Sequence, residues 1–272
     1  MRSGAPAKRC SAASRCRTCS DPGYAVAVTS RHSILIAGCC LLAAGCGSPA
    51  ERDPFVVASD FSNPPFAAWE GDEPEGFEPE LARALASDLG RPVEWSKRSF
   101  DTLLDGVVDG SADIVIATHG ITPERAERVA FTRPYYRTAI CAVVRTGAGE
   151  PDAPAELAGR PVGASPGTTS ERALRTALAD AVAVLEREQE ASWETMLLDG
   201  SIDAAIMDCP DVRELGGYRE GSLRRLAEPL AEELYAGAVA LDREELLASV
   251  NGTIARLESD GTLARWAEAL GL

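Results

Sequence analysis

The chain has 272 residues, 45% of them hydrophobic and 25% charged, a composition typical of a globular protein with one large domain or two modest ones. The formal net charge is −15, and the acidic excess lies after residue 46, because residues 1–46 hold six basic residues and one acidic residue, Asp21. A folded domain with this acidic excess is not expected to bind nucleic acid or an anionic membrane surface, because like charges repel. No run of about twenty apolar residues is present, so no conventional transmembrane helix is expected.

The first 46 residues are predicted to be an export signal. A basic start, Arg31-His32, precedes a short apolar run that ends at Cys46, and a linker with Gly, Ser and Pro follows at 47–53. A basic start, a short apolar core and small residues before a cleavage site are typical of a secretory signal peptide. Translation that begins near Val28 instead of residue 1 is an open alternative.

Cys46 is the predicted lipid anchor. The segment Leu-Ala-Ala-Gly-Cys at 42–46 resembles a bacterial lipobox, in which the cysteine is acylated (palmitate being one expected acyl group) and becomes the mature N-terminus. Cleavage before Cys39 is the open alternative, and it would leave a shorter apolar core. We therefore expect an exported lipoprotein in the periplasm or at the cell surface, anchored to the membrane.

After Cys46 the sequence contains two cysteines, Cys141 and Cys209. In an oxidising compartment they could form a disulfide, but we expect two structural free thiols. The spacing of Cys16 and Cys19 resembles half of a zinc site, yet no second pair and no histidine partner follow. The sequence therefore predicts neither a metal nor a cofactor.

The pattern of apolar residues predicts alternating strands and helices in the first half of the mature chain. Gly90 ends the first predicted helix, and Thr122 and Pro123 form a strong helix start, with an N-cap hydroxyl and a proline at the first helical position. Such alternation is typical of a mostly parallel sheet. The strands are predicted at 55–59, 93–95 and 113–117, and the helices at 78–89, 100–108 and from 122 onward.

The same alternation restarts in the second half. The sequence Asp-Gly-Ser-x-Asp occurs at 109–113 and again at 199–203, each time between a predicted helix and an apolar strand, which favours two similarly built lobes. We assign 54–140 with 237–272 to lobe 1 and 141–236 to lobe 2. The predicted strands are 160–164, 182–185, 204–207 and 235–241, and the helices are 170–178, 192–198, 244–257 and 263–270.

Polar residues follow four of these strands, where open α/β sheets bind ligands. Acidic residues, hydroxyls and small residues with free backbone amides are all present there, and Arg125 lies one turn into the helix that follows. A carboxylate prefers a bidentate arginine and free helix-start N–H groups, and an ammonium prefers a carboxylate. The set therefore suits a zwitterion. Its members are Asp60, Thr118, His119, Gly120, Gly167, Thr168, Thr169 and Asp208.

Several stretches resemble one bacterial family. They are SDFSNPPF (59–66), GFEPELARALASDLG (76–90), DGSADIVIATHGITPERAERVAFTRPYY (109–136), GRPVGASPGTTSE (159–171), DGSIDAAIMD (199–208) and SVNGTIARLESDGTLARW (249–266). The chain from about 54 to 270 resembles the family 3 extracellular solute-binding proteins, which include amino-acid-binding components of ABC importers. The resemblance implies a type II periplasmic-binding-protein-like α/β fold, whose two lobes are joined by hinge strands, here 139–144 and 234–240.

The resemblance also implies roles for individual residues. Arg125 would grip the α-carboxylate, Asp208 would take the α-amino group, and the side-chain pocket would be lined by two further residues. The ligand carboxylate would also be bound by Thr118, Gly120 and Thr169, and the two pocket residues would be Asp60 and Phe100. Thr168 and His119 are weaker candidates, because Thr168 is equally a helix cap and His119 is equally a polar neighbour. Asn63 stands where the family often has an aromatic residue.

The expected function is binding of a small amino-acid-like ligand by a monomer that delivers it to an ABC permease in the membrane. The chain is not expected to be an enzyme. Two alternatives stay open: a dehydratase of the cyclohexadienyl type, which would use a cleft carboxylate such as Asp60 or Asp208 as general acid, and a sensory ligand-binding domain.

Overall fold

The computed structural model describes residues 53–186 and 192–272, so the predicted export signal and Cys46 lie outside the described residues. The strands are Phe55–Ser59 (β1), Ser62–Asn63 (β2), Ala67–Glu70 (β3), Glu73–Glu75 (β4), Val93–Lys97 (β5), Ile114–Val115 (β6), Ala130–Phe131 (β7), Tyr136–Arg145 (β8), Pro161–Ala164 (β9), Val182–Leu185 (β10), Ala204–Asp208 (β11), Leu223–Arg225 (β12), Ala231–Tyr235 (β13) and Ala238–Val239 (β14).

The α-helices are Phe77–Leu89 (α1), Leu103–Val108 (α2), Pro123–Ala126 (α3), Thr169–Ala177 (α4), Trp193–Asp199 (α5), Gly216–Glu220 (α6), Glu244–Ser259 (α7) and Thr262–Ala269 (α8). Short 3-10 helices cover Phe100–Thr102, Pro154–Leu157 and Asp211–Glu214. Across the described part of the chain, none of the helices combines the length and the apolar character that a bilayer crossing needs. The alternation of strands and helices predicted from the sequence is confirmed in both halves.

The first sheet has the strand order β5-β1-β6-β14-β7. Its β1 runs parallel to β5 and β6, while β14 is antiparallel to β6 and β7. Helix α1 buries Leu81, Ala82, Leu85 and Ala86 against this sheet, as their helical spacing predicts, and ends at Gly90 in the left-handed conformation. Apolar clusters cover both faces of the sheet, as a largely parallel sheet requires.

The second sheet has the order β10-β9-β11-β8-β12, with β13 also pairing with β8. Strands β10, β9 and β11 are parallel, and the long β8 runs antiparallel to β11 on one side and to β12 and β13 on the other. Apolar clusters again cover both faces. The residues at which one lobe gives way to the other, near 140 and 237, stay a prediction.

The predicted strand at 235–241 is wrong as a single element. Tyr235 ends β13, which pairs with β8 in the second sheet, whereas β14 begins at Ala238 and pairs with β6 and β7 in the first sheet. The chain therefore passes from one sheet to the other over Ala236 and Gly237. The sequence of a continuous apolar run does not indicate whether its residues pair in one sheet or in two, because their pairing partners are distant in sequence.

The expectation of two free thiols is also wrong, because Cys141 and Cys209 form a disulfide. Cys141 lies in β8 opposite Met207 of β11, and Cys209 follows β11 directly. The antiparallel register therefore brings two cysteines that are 68 residues apart in sequence next to each other. Sequence spacing alone carries no information about that register.

Candidate functional site

A cleft of about 450 Å³ opens at the carboxyl ends of β1, β6, β9 and β11, between residues of the first sheet and residues of the second. The structure brings together eight of the nine ligand-contact residues predicted from the sequence. The first half of the chain contributes Asp60, Phe100, Thr118, Gly120 and Arg125, and the second half contributes Thr168, Thr169 and Asp208.

Arg125 reaches from one wall of the cleft to the other. It lies in the short helix α3, which begins because the Thr122 side chain accepts a hydrogen bond from the Arg125 N–H and Pro123 fits the first helical position. Its Nη1 donates to the Gly120 carbonyl at 2.8 Å and its Nη2 to the Gly167 carbonyl at 3.1 Å. Burial lowers the pKa of Arg125, but guanidinium groups stay protonated, so the cleft contains a fixed positive charge.

Asp208 lies at the end of β11, and only one of its two carboxylate oxygens accepts a hydrogen bond among the described residues. Its Oδ2 accepts a hydrogen bond from the Tyr235 hydroxyl, while its Oδ1 is buried and has no donor among the described residues. Burial raises the pKa of Asp208 to about 6, against the lowering effects of Tyr235 and of the Arg125 charge. A buried carboxylate oxygen without a donor is costly, and an ammonium group placed there would satisfy it.

Glu233, which the sequence analysis missed, lies beside these two groups. It is only 6% exposed, and its Oε1 has no hydrogen-bond donor within the described ranges. Burial, followed by the charge of Asp208, raises the pKa of Glu233 to about 7, while a hydrogen bond from Thr169 and the charge of Arg125 act the other way. Glu233 and Tyr235 have the same parity in β13, so period-two alternation was the available signal.

Thr118 has an unusual backbone conformation and is hydrogen-bonded to a third buried carboxylate, that of Glu78. Its φ is 45°, in the left-handed region that a β-branched residue rarely adopts, and its N–H donates to Oε1 of Glu78. The Thr118 hydroxyl accepts a hydrogen bond from Asn63 at 3.3 Å. The Glu78 interaction thus occupies the backbone amide expected to help a ligand carboxylate and leaves the hydroxyl proton of Thr118 for that task.

His119 is not among the residues that line the cleft in the described part of the chain. It is 2% exposed and stacks on Phe100, with ring centroids 4.5 Å apart. Burial and the nearby charge of Arg125 lower the pKa of His119 to about 3, so the ring is neutral. His119 therefore supports the Phe100 ring from behind, and the Arg125 guanidinium lies 5.6 Å from the centre of that ring.

Thr168 and Thr169 occupy the start of α4. Thr168 is the N-cap: its hydroxyl accepts from the Glu171 N–H at 3.3 Å and donates to the Ser165 carbonyl at 2.6 Å. Thr169 is the first helical residue and also contacts Glu233. The capping alternative for Thr168 is thus confirmed, and Thr168 lines the cleft as well.

Sequence reasoning missed a further group of cleft residues. The antiparallel sheet β2-β3-β4, for which the sequence predicted no strands, contributes Ser62 and Asn63. Its strands of two to four residues are too short for periodicity to detect. The second half of the chain adds acidic and hydroxyl side chains: Ser165, Ser192, Glu194, Asp211 and Glu214. In the described ranges, no cluster of three or more His, Cys, Asp or Glu residues is arranged to hold a metal ion.

A family model for bacterial extracellular solute-binding proteins, family 3, matches residues 55–269. The chain belongs to this family. The solute-binding protein is 30% identical to the L-cystine-binding protein TcyJ of Escherichia coli K12, over 80% of this chain and 82% of the relative. It is 29% identical to the ABC transporter arginine-binding protein 1 of the same strain, over 79% and 88%. The predicted resemblance is thereby confirmed.

Two solved structures extend the comparison. An ancestral arginine-binding protein bound to arginine superposes with a TM-score of 0.71 at 28% identity, covering 81% of this solute-binding protein and 99% of the other chain. The ancestral amino-acid-binding protein AncCDT-1, described as a precursor of cyclohexadienyl dehydratase, gives a TM-score of 0.70 at 27% identity, covering 80% and 95%. The solute-binding protein therefore has the predicted type II periplasmic-binding-protein-like fold.

Gly120 of the solute-binding protein leaves no space for a side chain. A Cβ at this position would lie 1.7 Å from Oε1 of Glu233 and 2.8 Å from Cγ2 of Thr169, which approaches from the other wall. We expect Gly120→Ala to weaken ligand binding by at least about tenfold and to lower the free energy of unfolding by about 1–3 kcal/mol, as overpacking does. Calorimetric titration and urea unfolding measure the two effects. Gly252→Ala, in α7 with open space around it, is the matched control and should leave binding unchanged; equal binding by both variants would contradict the close approach.

Glu78 should make stability depend on pH. Burial raises its pKa to about 7 from an ordinary value of 4.5, against the hydrogen bonds from Tyr135 and Thr118. The folded state then binds the proton more tightly than the unfolded state, so this group's contribution falls as pH rises from about 4.5 to 7, by on the order of 3 kcal/mol. In urea unfolding at several pH values, Glu78→Gln should flatten the profile in this window. Glu80→Gln, exposed on the same helix, should not, and an unchanged Glu78→Gln profile would contradict the shift.

Proposed function

We propose that this chain is the extracytoplasmic binding component of an ABC importer and that it captures an amino acid between the two walls of the cleft. The observation that carries the proposal is that Arg125 lines one wall of the cleft and Asp208 lines the other. The buried Oδ1 of Asp208 has no hydrogen-bond donor within the described ranges. A ligand carboxylate on the Arg125 fork and a ligand ammonium on Asp208 would satisfy both groups. Relatives named for binding cystine, arginine and glutamine support the class of ligand.

The lining of the cleft favours a cationic ligand side chain. Arg125 is the one Lys or Arg that lines it among the described residues. Asp60, Glu194 and Glu214 add carboxylates, and the Ser62 hydroxyl already donates to Asp60 at 2.6 Å. Since an acidic ligand side chain would be repelled by these groups, we propose L-arginine as the first ligand to test, in line with the arginine-binding relatives.

Melting temperatures measured with each standard amino acid and with L-cystine test this proposal. A ligand that binds only the folded state raises stability, by about 2.7 kcal/mol at a hundred times its Kd. L-Arginine is expected to give the largest shift and L-glutamate none. If none of these amino acids shifts the melting temperature, the protein is not an amino-acid binder.

A dehydratase is the second candidate, because Asp208 in the cleft and Glu233 behind it have pKa values raised to about 6 and 7, the range of a general acid. AncCDT-1, to which the chain is similar, is described as an amino-acid-binding protein and as a precursor of cyclohexadienyl dehydratase. We place it second because Glu233 does not line the cleft in the described part of the chain and Asp208 suits an ammonium. Turnover of prephenate by the wild-type protein, with no shift from amino acids, would reverse this order.

We also propose that the protein is exported, is anchored through acylated Cys46 and works as a monomer beside its permease. The support is the lipobox-like sequence at 42–46, which precedes the family match by several residues. Cys46→Ser is expected to move the protein from the membrane fraction to the soluble fraction, as followed by immunoblot. Cys39→Ser is the matched control and should stay with the membrane. The opposite result would assign the anchor to Cys39 instead.

A further inference from the structure

The disulfide lies next to the proposed ammonium-binding residue. Asp208 pairs with Ile140 at the end of β11, and Cys209, the next residue, is bonded to Cys141 of β8. The last backbone hydrogen bond that holds this end of the strand to β8 runs from the Cys209 N–H to the Ala139 carbonyl, at 2.8 Å. The disulfide therefore fastens the point at which the chain leaves the sheet.

The segment that begins at this point forms a wall of the cleft. After Pro210 the chain enters the 3-10 helix Asp211–Glu214, and both end residues of that helix line the cleft together with Leu215. The sheet register stops at Asp208, so this wall lacks the regular ladder that fixes the rest of the second sheet. Packing around Val212 and hydrogen bonds from the Gly216 and Gly217 N–H groups to Glu194 hold the far end of this wall, and the Arg213 side chain donates to the Gly271 carbonyl. The disulfide is the covalent link between its near end and β8.

The position of the Asp208 carboxylate relative to its hydrogen-bond donor also depends on the alignment of three strands, β11, β8 and β13. Its partner Tyr235 belongs to β13, which pairs with the opposite edge of β8 from β11. The Tyr235 hydroxyl therefore reaches Asp208 across β8, and a shift of β11 against β8 would move Asp208 away from its donor. Binding groups need to be held within about 0.5 Å of the productive geometry.

We propose that the Cys141–Cys209 disulfide is a positioning element of the ligand site, which holds Asp208 where it accepts the ligand's ammonium group. The inference rests on the proposed function, because it needs Asp208 to contact an α-amino group. The positioning role differs from a purely structural role in its effect on affinity. Loss of a structural cross-link would change the affinity for every ligand alike, whereas loss of a positioning element weakens the binding only of ligands that carry an ammonium group.

The test is a pair of ligands that differ only in that group: L-arginine and its desamino analogue, 5-guanidinopentanoic acid. Their Kd values are measured by calorimetry for the wild-type protein, Cys141→Ala/Cys209→Ala, Asp208→Asn and the combined triple variant. We expect the double variant to bind L-arginine about tenfold more weakly and the analogue within about twofold of wild type. The triple variant should resemble Asp208→Asn alone, because both changes act on the same contact.

Equal weakening of both ligands, or unchanged L-arginine binding, would overturn the positioning role and leave the proposed function intact. If the wild-type protein does not bind L-arginine, the same comparison is made with the amino acid that raises its melting temperature most and the desamino analogue of that amino acid. If no amino acid binds, the proposed function fails, and this role fails with it. If the double variant does not fold, the wild-type protein reduced with TCEP at low temperature is titrated with the same two ligands. The same selective loss is expected there, and its absence counts against the proposal.

Discussion

Replacing Arg125 with alanine is expected to reduce the affinity for the ligand by roughly 2–5 kcal/mol, or about 30-fold to several thousand-fold. The guanidinium is half-buried and already donates to carbonyls on both walls of the cleft, so an incoming carboxylate would meet a preoriented fork. The variant also leaves Asp208 and Glu233 without the positive charge that offsets their burial. Calorimetric titration with L-arginine measures the loss.

Two further variants separate charge from geometry at this position. Arg125→Lys keeps the charge and loses the planar fork, so we expect an affinity between those of wild type and alanine. Arg128→Ala removes a neighbouring exposed arginine that pairs with Asp105, and it should leave binding unchanged. Retention of affinity within about tenfold in Arg125→Ala would contradict the assignment of the carboxylate to this residue.

Replacing Asp208 with asparagine is expected to weaken binding of amino acids by about a hundredfold, because a ligand ammonium would lose its buried ionic partner. The same residue should make binding pH-dependent. Burial raises its pKa to about 6, so the ionised form that an ammonium needs is lost as pH falls through that value. Wild-type affinity should therefore decline below about pH 6, approaching tenfold per pH unit, when calorimetric titrations are repeated across that range.

The Asp208→Asn variant should lack this decline, since an amide does not titrate. Asp180 is exposed in the turn between α4 and β10, and Asp180→Asn is the matched control, which should retain both the affinity and the pH profile of wild type. If wild type and Asp208→Asn show the same pH dependence, another group governs the titration. Glu233, with a pKa raised to about 7, would then be the first to replace.

Local features of the sequence predicted most of the elements that carry the site. The spacing of Leu81, Ala82 and Leu85 and the stop at Gly90 define α1, and the Thr122-Pro123 pair defines the start of α3. In each case a short stretch of chain contains the whole signal, because a helix buries one face and caps its own ends. The rule that ligands bind at the carboxyl ends of strands then predicts that Arg125 and Asp208 share one cleft.

Features that depend on distant pairing were not predictable in this way. The disulfide requires the register of β8 against β11, and the break between Tyr235 and Ala238 requires knowledge of two separate sheets. The placement of His119 behind Phe100 depends on how a loop packs against a 3-10 helix. Tertiary packing decides each of these, and neither composition nor periodicity records it.

Glu233 illustrates the limit of composition most clearly. Acidic residues are seldom buried unless paired, so residue type does not distinguish the two adjacent glutamates of Ala-Glu-Glu-Leu-Tyr. In the structure Glu233 is 6% exposed, while its neighbour Glu232 is exposed. The exception lies beside Arg125 and Asp208, the two residues on which the proposed ligand site depends.

The most direct measurement is a crystal structure of the protein with the amino acid that raises its melting temperature most. We expect the ligand to lie in the cleft, with its carboxylate hydrogen-bonded to the Arg125 guanidinium and its ammonium within hydrogen-bonding distance of Oδ1 of Asp208. A ligand bound elsewhere, or one that lies in the cleft with its ammonium away from Asp208, would contradict this expectation.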